Sequence, residues 1–579
     1  MPAAPLWRER PYDAASLASY GDSVPSLVAH LLAQRGIKAS DVEAYFDPSL
    51  RRLASPESLP GISDAVCVIL PFVRERRKIV VFGDYDADGV NATAILVTAL
   101  ARLGGVVEPF IPLRHGEGYG MTGASIARLL QEQPDVALVV TVDNGITSAV
   151  EVAELRARGI KVVVTDHHLP GDHVPEADAL VDPRVASCPG CEDLCGAGVA
   201  FFLSNALVNA ATAEGFYTGE KFGGPSLVMA GVATVADIVQ LRGQNRILVS
   251  QALAYFRRCA PLGLRELLDH AARRAEALVA RDFAFTLAPR INAAGRMSSA
   301  LKAYELLMCS DREAARMLAV EVDGFNGARK GVEQRMDREA RLQVPSFADL
   351  AAVVVNDTHP LVSEPWHPGV AGIVASRLLE DAHVPVALAV GNTGSVRAPE
   401  GYNVHAALTA VQETLVRFGG HAAAGGFTVK EGHFEAFRTA FVAACAQQRA
   451  SAPDAAALVF DMWVEPRDLT LETYAQVSRL EPFGEGNPEP VFGLQNVAFA
   501  EIKPMGSEGR HLSLSFVNKM IPRAVWWGHG DRVESLRAHA AARFDILFTL
   551  TVSDFGVEGP HVELRIVAIR PTVSTPLAP

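Results

Sequence analysis

Cysteine is scarce in this sequence, with 7 residues in a chain of 579, and this scarcity argues against a disulfide-stabilised scaffold. Long apolar runs are also missing, since none reaches the ~18 residues that a membrane-spanning helix needs. The first residues lack the charged start and the apolar core of a signal peptide, so we expect a cytoplasmic protein. Positive charge is not in excess either. The net charge of −13 argues against non-specific coating of polyanions by the whole surface, although a local basic groove is compatible with it.

Three of the cysteines lie close together in the segment CPGCEDLC, at Cys188, Cys191 and Cys195. Their spacing is compatible with a soft-metal site, but no fourth ligand is evident nearby. We therefore favour reduced, structural thiols over a metal-binding or redox role.

The chain is longer than one hydrophobic core usually organises, and its length predicts roughly two to four domains. Val- and Ile-rich runs between Lys78 and Thr165 alternate with helical segments, which is typical of a parallel sheet covered on both faces. We therefore predict an α/β protein. The predicted regions are an N-terminal helical region (1–74), a first α/β domain (75–310), a connecting helix (311–344) interpreted as a solvated spacer, a second α/β domain (345–449), and a small all-β barrel or sandwich (450–579).

Acidic and histidine side chains follow several of the predicted strands, at the carboxyl ends where open parallel sheets bind ligands. They are Asp84, Asp86 and Asp88 in VVFGDYDADG, Asp143 in VVTVDNG, Asp166, His167 and His168 in VVVTDHHLP, and Asp237 in the apolar helical segment VATVADIVQL. Carboxylates so close together repel one another and raise each other's pKa. Carboxylate oxygens with one or two imidazoles suit Mg²⁺ or Mn²⁺, which would remove the repulsion. A centre with two such ions can cleave phosphodiesters.

Each motif alone also has a structural interpretation. DYDADG fits the start of an EF-hand loop, but the twelfth position is Ile95 where that loop needs Glu, and a strand rather than a helix precedes it. Asp143 is compatible with a turn residue, the paired histidines with a helix N-cap and its neighbour, and Asp237 with an N-cap. Four such motifs in one sheet favour a shared site over four separate structural roles.

The motifs GDYDADG, VDNGIT, TDHH and ATVADIV, in this order, resemble the four motifs of the DHH phosphoesterase superfamily. RINAAGRM, WHPGVAGIVASRL, GSVRAPEGYNVHAAL and FGGHAAAGGF resemble its associated DHHA1 domain, and LEPFGEGNPEPVF and GRHLSLSF resemble an OB-type domain. Together they are similar to the RecJ-type exonucleases of this superfamily. The resemblance implies a DHH domain, a connecting helix, a DHHA1-type domain and an OB-type barrel. It also implies metal-dependent 5′→3′ hydrolysis of single-stranded DNA in repair and recombination.

The resemblance further implies roles for individual residues. Metal ligands fall on Asp86, Asp88, Asp143, His167 and Asp237, catalytic roles on Asp84, His168 and His421, and recognition of a 5′-terminal phosphate on Arg114, Arg296, Ser395 and Arg397. Relatives often have His at the position of Phe82, which cannot ligate a metal, so Asp84 would carry more of that site. The implied cofactors are two divalent cations, Mn²⁺ or Mg²⁺. The implied partners are single-stranded DNA, single-strand-binding protein and a helicase, and we expect the chain to be a monomer.

The residue types agree with these roles, although structural alternatives stay open. Guanidinium groups offer forked donors that fit phosphate oxygens, and a surface salt bridge is the alternative for any one arginine. Gly419 and Gly420 permit close approach of the backbone to a ligand, and a helix C-cap after VQETLVRF is their alternative. His367, which precedes a proline in the first turn of a predicted helix, is compatible with a phosphate ligand or a cap.

Three aromatic residues of the C-terminal domain, Phe516, Trp526 and Trp527, are compatible with stacking on bases. Aromatic residues of a β-barrel more often belong to its core, and we favour that interpretation.

Two other functions compete with the exonuclease. A nanoRNase or cyclic-dinucleotide phosphodiesterase of the same superfamily would be shorter and would lack the OB-type domain, so residues 458–570 favour longer substrates. A catalytically inactive DNA-binding scaffold would have lost its metal ligands, whereas the expected ligands are all present in this sequence.

Overall fold

The computed structural model describes residues 6–572 apart from 22–23, 115, 119, 187, 220–222, 274, 450–456, 540–541 and 554–558. The chain divides into two compact units. Residues 53–455 form the first, which we call the central unit, and residues 1–52 with 456–579 form the second, which we call the terminal unit.

The first sheet of the central unit has five parallel strands. In sheet order they are Val106–Phe110, Lys78–Phe82, Leu138–Thr141, Lys161–Thr165 and Ala179–Val181. Successive side chains point to opposite faces, so that Ile79 and Val81 pack in one core while Val80 and Phe82 pack in another. The predicted α/β fold is confirmed. The three-residue strand Ala179–Val181 is not among the predicted strands.

Helices cover both faces of this sheet. The helices of this region, some of which pack on other helices, are Ile62–Arg74, Ala87–Arg102, Gly123–Glu132, Ala149–Ala157, Gly196–Ala213, Gly224–Ala236, Gly243–Cys259, Leu262–His270, Ala288–Met297 and Leu301–Met308. Among the described residues, one unbent helix, Gly196–Ala213, is long and apolar enough to cross a membrane, and 72% of it is buried within the protein. Such all-round apolarity is typical of a helix in the core of a large domain.

A 31-residue helix, Arg312–Leu342, connects the first sheet region to the second. Asp311 caps its N-terminus, because its carboxylate accepts a hydrogen bond of 2.8 Å from the backbone N–H of Ala314. The interpretation as a merely solvated spacer is wrong. Ala319 packs in the core of the first sheet and Met336 in the core of the second, so the helix is part of both.

The second sheet of the central unit mixes parallel and antiparallel strands. In sheet order they are Leu415–Gly420, Ala424–Val429, Thr393–Arg397, Val386–Val390 and Val353–Asn356. Its helices are Pro368–Ala382, Val404–Ala410 and Phe434–Arg449. The C-cap alternative for Gly419 and Gly420 is wrong, because both residues belong to a strand that pairs with Ala424–Val429.

The terminal unit contains a mixed sheet of seven strands. In sheet order they are Met462–Trp463, Phe492–Val497, Phe544–Ser553, His561–Pro571, Ala524–Trp526, His511–Phe516 and Phe499–Met505. Its helices are Ala14–Ser19, Ser26–Gln34, Val42–Phe46, Leu471–Ser478 and Val533–Ala538. Core packing is confirmed for Phe516 and Trp526, whereas the Trp527 side chain is 50% exposed.

The predicted N-terminal helical region, residues 1–74, is divided between the two units. Strand Trp7–Glu9 pairs with Leu458–Phe460, and helix Ser26–Gln34 packs in the core of the terminal unit. Helix Ile62–Arg74 instead packs in the core of the first sheet. These contacts join segments that are far apart in the chain, so no local sequence pattern indicates them.

The buried carboxylate of Asp461 connects the N-terminal segment of the terminal unit to its C-terminal segment. Asp461 Oδ1 accepts a hydrogen bond of 3.0 Å from Arg10 Nε and lies 3.9 Å from Arg35 Nη1. Its Oδ2 accepts a hydrogen bond of 2.8 Å from the backbone N–H of Val491. A buried charge is stable only when it is paired and hydrogen-bonded. Asp461 and its arginine partners therefore stabilise one another in the folded state.

Replacing Asp461 with Ala should lower the free energy of unfolding of the terminal unit by about 3 kcal/mol, because Arg35 would be buried without its charge partner. Four of the five tryptophans lie in this unit, so tryptophan fluorescence during urea unfolding measures the change. Arg510→Ala, which removes an exposed pair with Glu508, is the control and should change the stability by less than about 0.5 kcal/mol. Equal effects of the two substitutions would contradict this account.

Candidate metal centre

Three adjacent strands of the first sheet end in ionisable side chains. Asp84, Asp143 and His167 each lie just beyond the carboxyl end of one of these strands. Because the strands are parallel, the three ends meet at one edge of the sheet. Asp237 reaches the same place from the C-terminal end of helix Gly224–Ala236.

The imidazole of His167 lies between three carboxylates. Its Nε2 is 3.1 Å from Asp143 Oδ1, 3.6 Å from Asp88 Oδ2 and 3.6 Å from Asp237 Oδ2. Four segments that are distant in the sequence therefore converge on one point, as the shared-site interpretation requires.

Three overlapping groups of side chains have ligand atoms close enough together to hold a metal ion. They are Asp84, Asp86 and Asp143; Asp88, His167 and Asp237; and Asp143, His167 and His168. Within each group the ligand atoms lie within 4.8 Å of one another. Asp84 thus shares a potential metal site with Asp86 and Asp143. Phe82 is fully buried against Phe110.

The electrostatics of this cluster fit a divalent cation. Burial, together with the charge of Asp86, raises the pKa of Asp84 well above its ordinary value. Burial and Asp88 do the same for the pKa of Asp143, and they raise the pKa of Asp237 to about 9. Asp84 Oδ1 is buried and makes no hydrogen bond to the described residues. A hard cation would satisfy this oxygen and remove the repulsion.

The imidazole of His167 is also suited to binding a metal ion. Burial lowers its pKa, and this effect outweighs the opposing attraction of Asp88. The neutral imidazole that burial favours is the form that binds a metal ion.

Backbone donors hold two of the carboxylates in place. Asp86 caps helix Ala87–Arg102, because its Oδ1 accepts hydrogen bonds from the backbone N–H groups of Asp88 and Gly89. Asp88 accepts hydrogen bonds of 2.6 and 2.8 Å from the first N–H groups of helix Gly196–Ala213. Anions are favoured at helix N-termini, so the two helices orient both side chains before any ion binds.

Asp166 is a supporting residue. Its carboxylate accepts a hydrogen bond from the backbone N–H of Ile146 and lies 2.7 Å from His168 Nδ1. Burial alone would raise the pKa of Asp166, but the hydrogen bond to His168 and the charge of that residue lower it overall. Burial alone would lower the pKa of His168, but Asp166 raises it to about 9. The contact with Asp166 therefore favours the charged form of His168.

Two glycines that sequence reasoning did not identify let backbones approach the centre closely. A Cβ atom on Gly196 would lie 2.5 Å from the Cβ of Asp143, and one on Gly295 would lie 2.3 Å from the carbonyl oxygen of Tyr85. Neither distance leaves room for a side chain. The sequence signal for Gly295 is its place in RINAAGRM, next to Arg296, one of the predicted phosphate-binding residues.

The arginines expected to bind a terminal phosphate lie near one another. Burial and the charge of Arg114 lower the pKa of Arg296 to about 10, and the same two causes lower the pKa of Arg397. Arg114 lies over the ring of Tyr85, with its guanidinium carbon 4.6 Å from the ring centre. These guanidinium groups repel one another, and a bound anion such as a phosphate would relieve the repulsion.

Ser395 and Arg397 share one face of strand Thr393–Arg397, because they are two residues apart. Both side chains lie beside Gly372 in helix Pro368–Ala382. Arg296 donates a hydrogen bond of 2.9 Å to the carbonyl oxygen of Gly369 in the same helix. This helix therefore brings together arginines from both sheet regions of the central unit.

Two other histidines are placed differently. His367 caps helix Pro368–Ala382, because its Nδ1 accepts a hydrogen bond from the backbone N–H of Gly369. His421 lies in the exposed turn between strands Leu415–Gly420 and Ala424–Val429. The three potential metal groups found among the described residues do not include it, and its catalytic role stays a prediction.

Comparison with known proteins decides the family. Residues 78–220 match the model of the DHH family N-terminal domain, residues 350–447 that of the DHHA1 domain, and residues 460–566 that of the RecJ OB domain. The single-stranded-DNA-specific exonuclease RecJ of Dickeya dadantii is 38% identical over 81% of this chain and 84% of its own length. This chain belongs to the RecJ family. The RecJ exonuclease of Escherichia coli is 34% identical over 81% of this chain and 83% of its own length.

Solved structures agree with this membership. The structure of RecJ from Thermus thermophilus in complex with Mn²⁺ matches 98% of this chain and 80% of its own, with a TM-score of 0.83 and 32% identity. The structure of the same protein with Mg²⁺ matches with a TM-score of 0.76.

Gly196→Ala should weaken Mn²⁺ binding about tenfold or more, because the added Cβ displaces Asp143 from the cluster. Isothermal titration calorimetry measures the affinity, and circular dichroism checks the fold. Gly324→Ala is the matched control. It lies on the exposed face of the connecting helix, where an added Cβ meets no atom within 4 Å. It should leave Mn²⁺ affinity unchanged and raise stability by about 0.5–1 kcal/mol. Parent-like Mn²⁺ affinity in a folded Gly196→Ala protein would contradict the described geometry.

Proposed function

We propose that this chain is a metal-dependent exonuclease that hydrolyses single-stranded DNA in the 5′→3′ direction, in DNA repair and recombination. The observation that carries the proposal is the convergence of Asp88, Asp143 and Asp237 on His167 Nε2. The relatives that are named single-stranded-DNA-specific exonucleases support it, since they match most of the chain. The retained carboxylates argue against an inactive scaffold.

The proposed metal ligands are Asp86, Asp88, Asp143, His167 and Asp237, with Asp84 beside them. When bound, Mn²⁺ or Mg²⁺ would neutralise the carboxylates, lower the pKa of a water nucleophile and stabilise the charge on the scissile phosphate. Asp88 is held by backbone N–H groups, so it stays oriented while the substrate enters and leaves.

His168 has a role distinct from that of His167. The contact of 2.7 Å with Asp166 orients its ring and favours its charged form. We propose that this imidazolium contacts the scissile phosphate and stabilises the negative charge that develops there.

Recognition of the strand end is proposed for Arg114, Arg296, Ser395 and Arg397. A terminal phosphate monoester carries more negative charge than a phosphodiester, so a cluster of repelling guanidinium groups favours the end of a strand over its interior. Such selection of a 5′-phosphate would set the direction of digestion. His421 is proposed to contact the substrate from the second sheet region.

The remaining elements of the proposal concern organisation and partners. The region that matches the RecJ OB domain would bind the DNA strand, with the half-exposed Trp527 available for stacking. We propose a monomer in the cytoplasm, with single-strand-binding protein and a helicase as partners. The proposed division of the central unit is a DHH domain up to residue 310, the connecting helix 311–344 and a DHHA1-type domain at 345–449.

The proposed function is tested with end-labelled single strands, duplexes and dinucleotides, each incubated with Mn²⁺, Mg²⁺ or EDTA. We expect metal-dependent release of nucleotides from single strands alone. Asp143→Asn should lower the rate at least a thousandfold, on the order of what loss of a metal-centre residue costs. Asp172→Asn, at an exposed site of the same unit, is the matched control. Arg397→Ala should raise KM for 5′-phosphorylated strands more than for 5′-hydroxyl strands.

Hydrolysis confined to dinucleotides would replace the proposal with the phosphodiesterase alternative. Parent-like activity of the Asp143→Asn protein would refute the assigned metal centre.

A further inference from the structure

The helix that brings Asp237 to the candidate metal centre ends in an unusual residue. Ile238 follows Asp237 with a φ of +58°, in the left-handed region, at the position where helices that end this way usually have glycine. A branched Cβ clashes with the backbone in this conformation. Among the described non-glycine residues with positive φ, Ile238 is the only β-branched one.

Packing does not compensate for this steric cost, because the Ile238 side chain is 70% exposed. Its backbone N–H lies 3.4 Å from the carbonyl oxygen of Val235, a contact that glycine would make equally well. A strained backbone that the rest of the fold does not exploit for packing points to a role in function.

The members of the candidate metal cluster differ in their exposure to solvent. The side chains of Asp88 and Asp143 are almost completely buried, whereas those of Asp237 and His168 are 23% and 40% exposed. Asp237 and His168 are therefore the members of the cluster that are accessible from solvent, and Ile238, with an exposed aliphatic side chain, directly follows Asp237 in the chain.

We propose that Ile238 packs against the nucleobase of the nucleotide whose phosphate is bound at the candidate metal centre. The inference rests on the proposed function and adds an apolar contact to its ionic ones. An aliphatic side chain complements the face of a base whatever the sequence, as a nuclease that digests any strand requires. Because β-branching leaves few rotamers, this surface is already in place before the strand binds.

The test compares Ile238→Gly and Ile238→Val with the parent. The substrates are two 5′-phosphorylated oligonucleotides, one with normal bases and one with abasic residues at its first two positions. Ile238→Gly should raise KM for the normal strand about fivefold, the effect of losing one apolar contact, and change kcat less than about twofold. KM for the abasic strand should not change. Ile238→Val, which keeps a branched aliphatic side chain, should behave as the parent does.

The Ile238→Gly protein should also unfold at a temperature about 2 °C higher, because glycine relieves the backbone strain. His383→Gly is the control. His383 ends helix Pro368–Ala382 with a φ of +52°, so the change should raise the melting temperature without altering KM.

Fluorescence anisotropy of the same strands with Ca²⁺ in place of Mn²⁺ measures binding separately from cleavage while a cation still neutralises the carboxylates. If the parent binds the strands but does not cleave them in Mn²⁺, the proposed function fails, while the Ile238 contact is still tested by the ratio of the two Kd values. An unchanged KM and Kd for the normal strand in Ile238→Gly would overturn the inference, as would an equal increase for both strands.

Discussion

The structure of the central unit depends on one electrostatic constraint, which is the mutual repulsion of carboxylates buried at the edge of a parallel sheet. Asp84, Asp143 and Asp237 all have raised pKa values because burial and neighbouring acids disfavour their charged forms. A fold keeps such an arrangement only if something else neutralises it. The histidine between them offers a nitrogen ligand, and the pattern as a whole fits divalent cations better than an internal ion pair.

Much of the surrounding structure serves to hold these groups together. Helix N-termini orient Asp86 and Asp88, and Asp166 orients His168. Gly196 lets a helix contact Asp143 directly. The strained Ile238 directly follows Asp237 of the same cluster. The functional site thus consists of side chains that lie just beyond the ends of strands, or at the ends of helices, and meet at a point.

The sequence predicted the strand ends well, because a run such as KIVVF followed by acidic residues is a strong local signal for a buried strand and a ligand site. Local signals failed where tertiary pairing decides the structure. Gly419 and Gly420 follow a segment whose sequence is typical of a helix. Leu415–Gly420 is nevertheless a strand, because it pairs with Ala424–Val429. The place of residues 1–52 beside the C-terminal sheet depends on contacts such as Arg10 with Asp461, which no local pattern encodes. The close contact between Gly196 and Asp143 could not be predicted from the sequence either, because a glycine at the start of a helix does not by itself indicate a close contact.

The central claim is that these side chains share divalent cations, and anomalous diffraction from crystals soaked with Mn²⁺ tests it most directly. We expect two manganese peaks within coordination distance, about 2.3 Å, of ligand atoms from Asp86, Asp143, His167 and Asp237. Crystals that show no manganese at this edge of the first sheet, or bind it only elsewhere on the protein, would contradict the account.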